Sequence, residues 1–408
     1  MGRLFTDGAE EVAASGDLAL TKWGSVSGTM VFDTTNPHSG ARCYSYSNAS
    51  TVSKRVSLSA SVTSGEYFTR AYVRRTATPL GDRIFWTVGQ VANDNAYWVL
   101  LDNGGAIDIQ NRVSTTRVNG PTLTVNTWYR VEVRHLISDT VGELEVRVWL
   151  ASDETTQVSG SPFGIGTFTG GNGTDEDTLP TNIQSWQFGG ASGGGAAPCL
   201  MDDIAINDTS GTFQTSWPGA GKIAYAEPGG ATSMAWEDTA TTNPSLYTNV
   251  DDLPGTPDDA TTYNKEDDTA NQVDQMTLAT LPAEIPADAD MVLMDLYARV
   301  GSDGTSARTG RLKIWDETNT LTNGPSVDFA INGWRILSIG PTNEHQVFDL
   351  GTRSKANVQD FDIGYENITN VATRVRRVTA LWANVEWIEG AGAAGATHPS
   401  WNWGGGGW

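Results

Sequence analysis

Apolar and polar residues alternate along much of the first half of this 408-residue chain. In 143–151 (ELEVRVWLA), Leu144, Val146, Val148 and Leu150 fall on one side, with Glu145 and Arg147 on the other. In 127–137 (TWYRVEVRHLI), Tyr129, Val131 and Val133 oppose Arg130, Glu132 and Arg134. Successive side chains of a strand point to opposite faces, so the pattern predicts half-buried antiparallel strands. Further strands are predicted at 66–75, 83–91, 96–102, 106–113, 183–188 and 199–208. The stretches DNGG (102–105), VNGP (118–121) and SDTVGE (138–143) read as turns between them. Many short strands at fairly even spacing predict a sandwich or jelly roll.

The pattern fades after about residue 212. Residues 213–289 are polar and acidic, with few strand signals, and read as an extended connector packed through Trp236, Leu246, Tyr247 and Tyr263. Strands resume at 290–301, 310–317, 333–340, 345–351, 358–368 and 376–389. In the last of these, Thr379, Leu381, Ala383, Val385 and Trp387 share a face. The predicted fold class is all-β. Residues 1–212 form a first sandwich, 213–289 a connector and 290–389 a second antiparallel sandwich. Residues 390–408 form an extended Gly/Trp-rich tail.

Charge narrows the partners. Formal net charge is −22, with 22 acids against 14 bases in residues 1–216 and 26 against 12 in residues 217–408. No cluster of Lys and Arg is present to neutralise phosphates, so nucleic acid is not an expected partner. No apolar run approaches a membrane span, and residues 1–17 carry no apolar signal segment. Membrane insertion is therefore not expected, and synthesis in a cytoplasm is.

The familiar catalytic spacings are missing. His38, His135, His345 and His398 show no HxxxH pair, and Cys43 and Cys199 form no CxxC. There is no GxSxG elbow and no P-loop or Rossmann fingerprint. A glycosidase needs two carboxylates flanking one bond. The nearest pair, Glu143 and Glu145, shares its strand face with Arg147 rather than a further acid, and reads as a solvated face. The expectation is that the chain is not an enzyme.

Several segments nevertheless look familiar. LFTDGAEEVAASGDLALTKW, HSGARCYSYS, TWYRVEVRH and MDDIAIND, in that order, resemble strands of concanavalin A-like, laminin-G-type lectin domains. The resemblance covers roughly the first half and implies two apposed antiparallel sheets with the first and last strands as neighbours. That would bring Cys43 near Cys199; two buried free thiols are the alternative. It also implies calcium as the one cofactor to consider, with Asp94, Asp102, Asp202 and Asp203 as oxygen donors. Turn-forming and edge-strand roles are the competing reading for these aspartates.

A second resemblance spans nearly the whole chain. MDDIAINDTSGTFQTSWPGAGKIAYAEP, then DDATTYNKEDDTANQVDQMTLATLP and ALWANVEWI, is similar to a two-part module of tailed-bacteriophage virion proteins of minor tail, tail-fibre or head-decoration type. It implies a structural component at a virion surface, made in the bacterial cytoplasm. Its implied partners are other virion proteins, copies of itself and host-cell glycan. A stand-alone carbohydrate-binding, lectin-like module is the alternative from another class, and a glycoside hydrolase using Glu143 and Glu145 is the third reading.

Aromatic residues supply the binding candidates. Trp86, Trp98 and Trp128 lie within strands, and Trp149 lies on the polar face with Glu145 and Arg147. Such rings can stack on sugars, although a strand Trp is more often core. The tail ends in THPSWNWGGGGW. Glycine frees the backbone while Trp401, Trp403 and Trp408 offer rigid anchors, which suits an assembly arm docking on a neighbouring subunit.

Overall fold

The computed structural model describes residues 2–389 except 12–21, 24, 28–30, 47–54, 63–64, 90–94, 112–116, 138–141, 166–182, 190–196, 212, 238–245, 260, 267–268, 303–308, 330–332, 338–344 and 369–375. Trp401, Trp403, Trp408 and Asp94 therefore lie outside the described residues. Among those described, the strands form four antiparallel sheets of nine, seven, six and six strands. The chain is an all-β sandwich protein.

The nine-stranded sheet runs in space from Asp153–Gln157 through Glu143–Leu150, Trp128–Ile137, Gly65–Arg75, Cys199–Asp208 and Cys43–Ser45 to Val31–Asp33. Arg3–Asp7 also pairs with Cys199–Asp208, so the first strand lies beside a late one. The seven-stranded sheet runs through Arg117–Thr122, Ala106–Asn111, Asn95–Leu101, Arg83–Gly89, Ile183–Gly189, Arg55–Val62 and Ser25–Ser27. Their inner faces share one core, with Tyr129, Val131, Val133, Leu144, Val146 and Val148 from the clean alternation, and Trp86, Trp186 and Phe188 from the other sheet. Cys43 and Cys199 are buried free thiols. Their strands are neighbours, but Cys199 lies beside Tyr46, three positions from Cys43.

A second core unites Leu296, Ala298, Val300, Leu381, Ala383, Val385 and Trp387 with Met276, Leu312, Ile314, Ile363 and Tyr365. Here the connector expectation is corrected. The stretch 213–289 contributes Lys222–Ala226 and Asn264–Lys265 to one six-stranded sheet, and Pro228–Met234 and Val273–Leu278 to the other. The apolar signal was hidden because an inward position in Val273–Leu278 is Asp274. That carboxylate is fully buried and accepts from the amides of Ala235 (2.8 Å) and Trp236 (3.0 Å) and from the Tyr365 hydroxyl (2.8 Å). A buried charge survives when its lone pairs are taken by donors, and here it ties three segments together.

Two smaller expectations also change. VNGP lies inside the edge strand Arg117–Thr122 rather than in a turn. An edge tolerates Pro, and a Cβ on Gly120 would meet the Phe163 ring at 2.4 Å. The predicted strand at 358–368 begins with a short helix, Lys355–Gln359, because Ser354 and Asn357 cap each other's backbone amides reciprocally.

The polar strand faces are not solvated. Across the outer face of the nine-stranded sheet, Trp149 pairs with Arg130 and Arg130 with Tyr72; one rung along, Arg147 pairs with Glu132 and Glu132 with Arg70. Arg70, Arg130, Glu132 and Glu145 are buried. Residues 213–221 lie over this face. Trp217 packs on Arg147, 4.0 Å from guanidinium carbon to ring, and on Phe68. The Gly219 carbonyl accepts from Arg70 Nη1 (3.1 Å), and the Gly221 amide donates to the Tyr72 hydroxyl (3.3 Å). A Cβ on Gly221 would lie 2.2 Å from Glu386 Oε1 and 2.6 Å from Arg70 Nη1, so a side chain there would have to displace that ion pair.

Glu386, on the Arg376–Ile388 strand, reaches back to the first sandwich. Its carboxylate is ion-paired to Arg3 Nη1 at 2.8 Å and to Arg70 Nη1. All three side chains are fully buried. Arg3 is further satisfied by Asn207 (2.7 Å) and Gln214 (3.1 Å), and Arg70 by the Asp203 carbonyl (3.1 Å). Beside them, Asn384 donates to the Thr6 carbonyl (2.7 Å) and to Glu11 (2.8 Å), and Glu11 pairs with Lys22. The Lys22 ammonium lies 4.6 Å from the Tyr297 ring of the second sandwich.

His135 occupies a core-facing position, opposite Leu144 and Tyr67. Burial pushes its pKa down to about 3, from 6.5. Between those values only the unfolded chain takes up the proton. Stability therefore falls as pH drops through that window, by about 1.4 kcal/mol per pH unit, and the loss stops below about pH 3. His135→Leu is expected to flatten the fall in urea midpoint between pH 6.5 and pH 4, measured against the native chain in parallel.

Candidate functional site

The four candidate tryptophans fare differently: Trp128, at the start of Trp128–Ile137, is half-buried with its ring 5.5 Å from that of His38. In Asn95–Leu101, Val99 and Leu101 face the core, which leaves Trp98 on the outer face of the seven-stranded sheet. It is half-buried, and its Nε1 has no hydrogen-bond partner among the described residues. Gln110 lies opposite it on the neighbouring strand. One rung along, Asp108 sits opposite Leu100. Arg117 holds Asp108 through Nε at 2.9 Å and pairs with Asp82 through Nη1. Burial raises the Asp108 carboxyl above its ordinary range, against the opposing pull of Arg117. The Arg117 hydrogen bond lowers Asp82. The patch thus combines one aromatic face, a carboxamide and a partly exposed guanidinium held between two carboxylates.

Trp86 and Trp149 are corrected. A register shift between Ile84 and Trp86 turns both Phe85 and Trp86 into the core, where Trp86 is fully buried 5.1 Å from Phe188. Trp149 does lie on the polar face, but Arg130 sits 4.0 Å over its ring, and it is 7% exposed. Neither offers a free face to a sugar.

The aspartates serve local structure. Asp102 accepts from the amides of Gly104 (2.8 Å) and Ala106 (2.7 Å), closing the DNGG turn. Asp202 and Asp203 are fully buried. Asp202 accepts from the amides of His38 (2.8 Å) and Ser39 (3.2 Å), while burial and the neighbouring Asp203 push its carboxyl up. Asp203 has φ of +48°, at a bulge in its strand. That turn aims its carboxylate at Ser39 Oγ (2.7 Å), the Ile223 amide (2.6 Å) and His38 Nδ1 (2.6 Å). His38 in turn stacks on Tyr72 at 3.7 Å. Among the described residues no three His, Cys, Asp or Glu side chains are grouped to hold a metal ion. Glu143 is paired to Arg134 (2.7 Å) and Glu145 to Arg147 (2.6 Å).

One aromatic group escaped sequence reasoning. Tyr263 and Trp334, which are 71 positions apart in sequence, meet on the second sandwich with ring centroids 6.1 Å apart. Alternation in Gly333–Leu337 was the available signal for Trp334; nothing local announced its partner.

No model of a known protein family matches the chain, and no curated protein does. Solved structures similar to it include a sialidase of Trypanosoma rangeli, at 12% identity and TM-score 0.29 over 44% of this chain and 27% of that one. Domain 4 of AbnA, a GH43 extracellular arabinanase from Geobacillus stearothermophilus in complex with arabinotriose, matches at 14% and 0.31, over 51% and 94%. The enzymatically active domain of tailspike protein 2 of bacteriophage CBA120 matches at 13% and 0.31, over 45% and 28%. The chain spans about a quarter of the length of the sialidases it matches. With enzymes among these structures, the expectation that the chain is not an enzyme no longer stands. At these TM-scores the likeness assigns no activity, ligand or assembly to this chain.

The sorting of the tryptophans has a direct test in stability. Trp86→Ala is expected to cost about 3–5 kcal/mol, as for other large core truncations. Trp98→Ala, on a half-open face, is expected to cost clearly less. Urea unfolding of the two variants beside the native chain reads both values.

Proposed function

We propose that this chain is a structural component of a tailed-bacteriophage particle, on its head or tail surface, and that its first sandwich contacts host glycan. The particle placement is supported by the sequence resemblance running from MDDIAIND to ALWANVEWI. The observation that carries the glycan reading is Trp98. Like Trp128 it is half-buried, and it has Gln110 and the Arg117–Asp108 pair as polar neighbours. An aromatic face takes up the C–H side of a sugar ring while fixed polar groups orient its hydroxyls. Assembly contacts are assigned to Trp401, Trp403 and Trp408, on a tail that follows Glu389, itself ion-paired to Lys222 at 2.7 Å.

The glycan reading predicts that the purified full chain is retained by oligosaccharides on an array, and that Trp98→Ala removes that retention while the variant stays folded, with a melting temperature lowered less than that of Trp86→Ala. Equal retention of native chain and variant would overturn it. The same incubations are assayed for released reducing ends, so that turnover is scored apart from binding. Truncation after Glu389 is expected to abolish incorporation into particles, and normal incorporation would refute the arm.

A further inference from the structure

One sheet face of the second sandwich changes character along its length. On Asp290–Ser302 and Arg376–Ile388 the core takes Ala298, Val300, Val378 and Leu381. The opposite face carries Tyr297, Trp382, Asn384 and Glu386, all buried, at the end where Asn384 and Glu386 meet the first sandwich. Further along the same face the register sets Trp334 beside Gly301, and Gly301 beside Arg377. Here Trp334, Tyr263, Arg377 and Ile336 are only half-buried.

The local geometry is built around Gly301. A Cβ at that position would come 2.7 Å from the Trp334 ring, so the indole lies directly over the strand backbone. Tyr263 stands against it at 56° between ring planes, forming an angled aromatic corner. Arg377 packs 4.8 Å from the Tyr263 ring. On the next rung, opposite Ile336, Arg299 grips Asp259 with two hydrogen bonds of 2.7 and 2.6 Å. Half-exposed aromatic rings on a sheet face opposite the core do not serve that core, and leaving them open to water is unfavourable.

The geometry points to a saccharide-binding platform at this corner, separate from the Trp98 face. Trp334 presents the ring face turned away from Gly301 for the C–H side of a pyranose, and Tyr263, with Arg377 over its ring, stands beside it as the wall of the corner. Arg377 and the Arg299–Asp259 pair supply donors and an acceptor for hydroxyls at its edge. Because Arg299 is already neutralised by a carboxylate, the corner suits a neutral sugar. With the Trp98 face, one chain would engage a polymer at two places, and linked sites raise avidity without any new contact.

The test is affinity electrophoresis of the full chain in gels containing dextran, laminarin, galactomannan or xylan. Retardation by at least one polymer is expected, with Trp334→Ala weakening it at least tenfold and Tyr263→Ala weakening it in the same gel. Gly301→Val, whose side chain would push on both the indole and the Gly333 carbonyl without removing the indole, is expected to act in the same direction. Melting temperature is followed for each variant, and Tyr263→Ala carries the test if Trp334→Ala does not fold. Trp98→Ala run in the same gels separates the two faces, since this platform predicts retardation that survives it. No retardation in any gel, or equal retardation of native chain, Trp334→Ala and Tyr263→Ala, would overturn the platform.

Discussion

A buried carboxylate between two buried guanidinium groups joins the two halves of this protein. Glu386 sits on the last long strand, Arg3 on the first, and Arg70 in the middle of the nine-stranded sheet. Removing three charges from water is costly, and the cost is offset only when every charge keeps well-placed partners. Beside Glu386, the arginines are served by Asn207, Gln214 and the carbonyls of Asp203 and Gly219, from the first sandwich and the strip that follows it. Loss of the carboxylate would strand two buried cations. The cluster therefore makes each half sensitive to loss of a charge contributed by the other.

The same constraint explains why the segment between the sandwiches is not a free linker. Residues 213–221 fill the space over Arg70, Tyr72 and Arg147, and Gly221 has no room for a side chain beside Glu386. Asp203, turned outward at its bulge, binds the Ile223 amide where the next strand begins. Rigid docking of this kind fixes the sheet faces relative to one another. Trp98 on the first sandwich and the Trp334–Tyr263 corner on the second, the two faces proposed to bind saccharide, are then held by one framework.

Much of the fold was legible where one face met the core and nothing interrupted the alternation. Glu143–Leu150 and Trp128–Ile137 fall within a residue of their expected bounds. What defeated the pattern was polarity placed on the inside. Asp274 in a core-facing position disguised a whole strand, and its partners Ala235, Trp236 and Tyr365 are not its sequence neighbours. The polar faces carrying Glu132, Arg70 and Glu145 looked solvated because their cover comes from distant chain; Glu386 lies 316 positions from Arg70. Tryptophan roles turned on single residues. A one-residue shift near Trp86 sent it inward, and Arg130 across the strand from Trp149 closed its face.

Mutual dependence of the sandwiches through Glu386 is the claim on which the rest stands. It is tested by scanning calorimetry of the native chain and of Glu386→Ala. The account predicts a single cooperative transition for the native chain, with calorimetric and van't Hoff enthalpies in agreement. It predicts that Glu386→Ala lowers stability by about 3–5 kcal/mol, as breaking a buried pair does. Two separate transitions in the native chain, both left in place by Glu386→Ala, would contradict it.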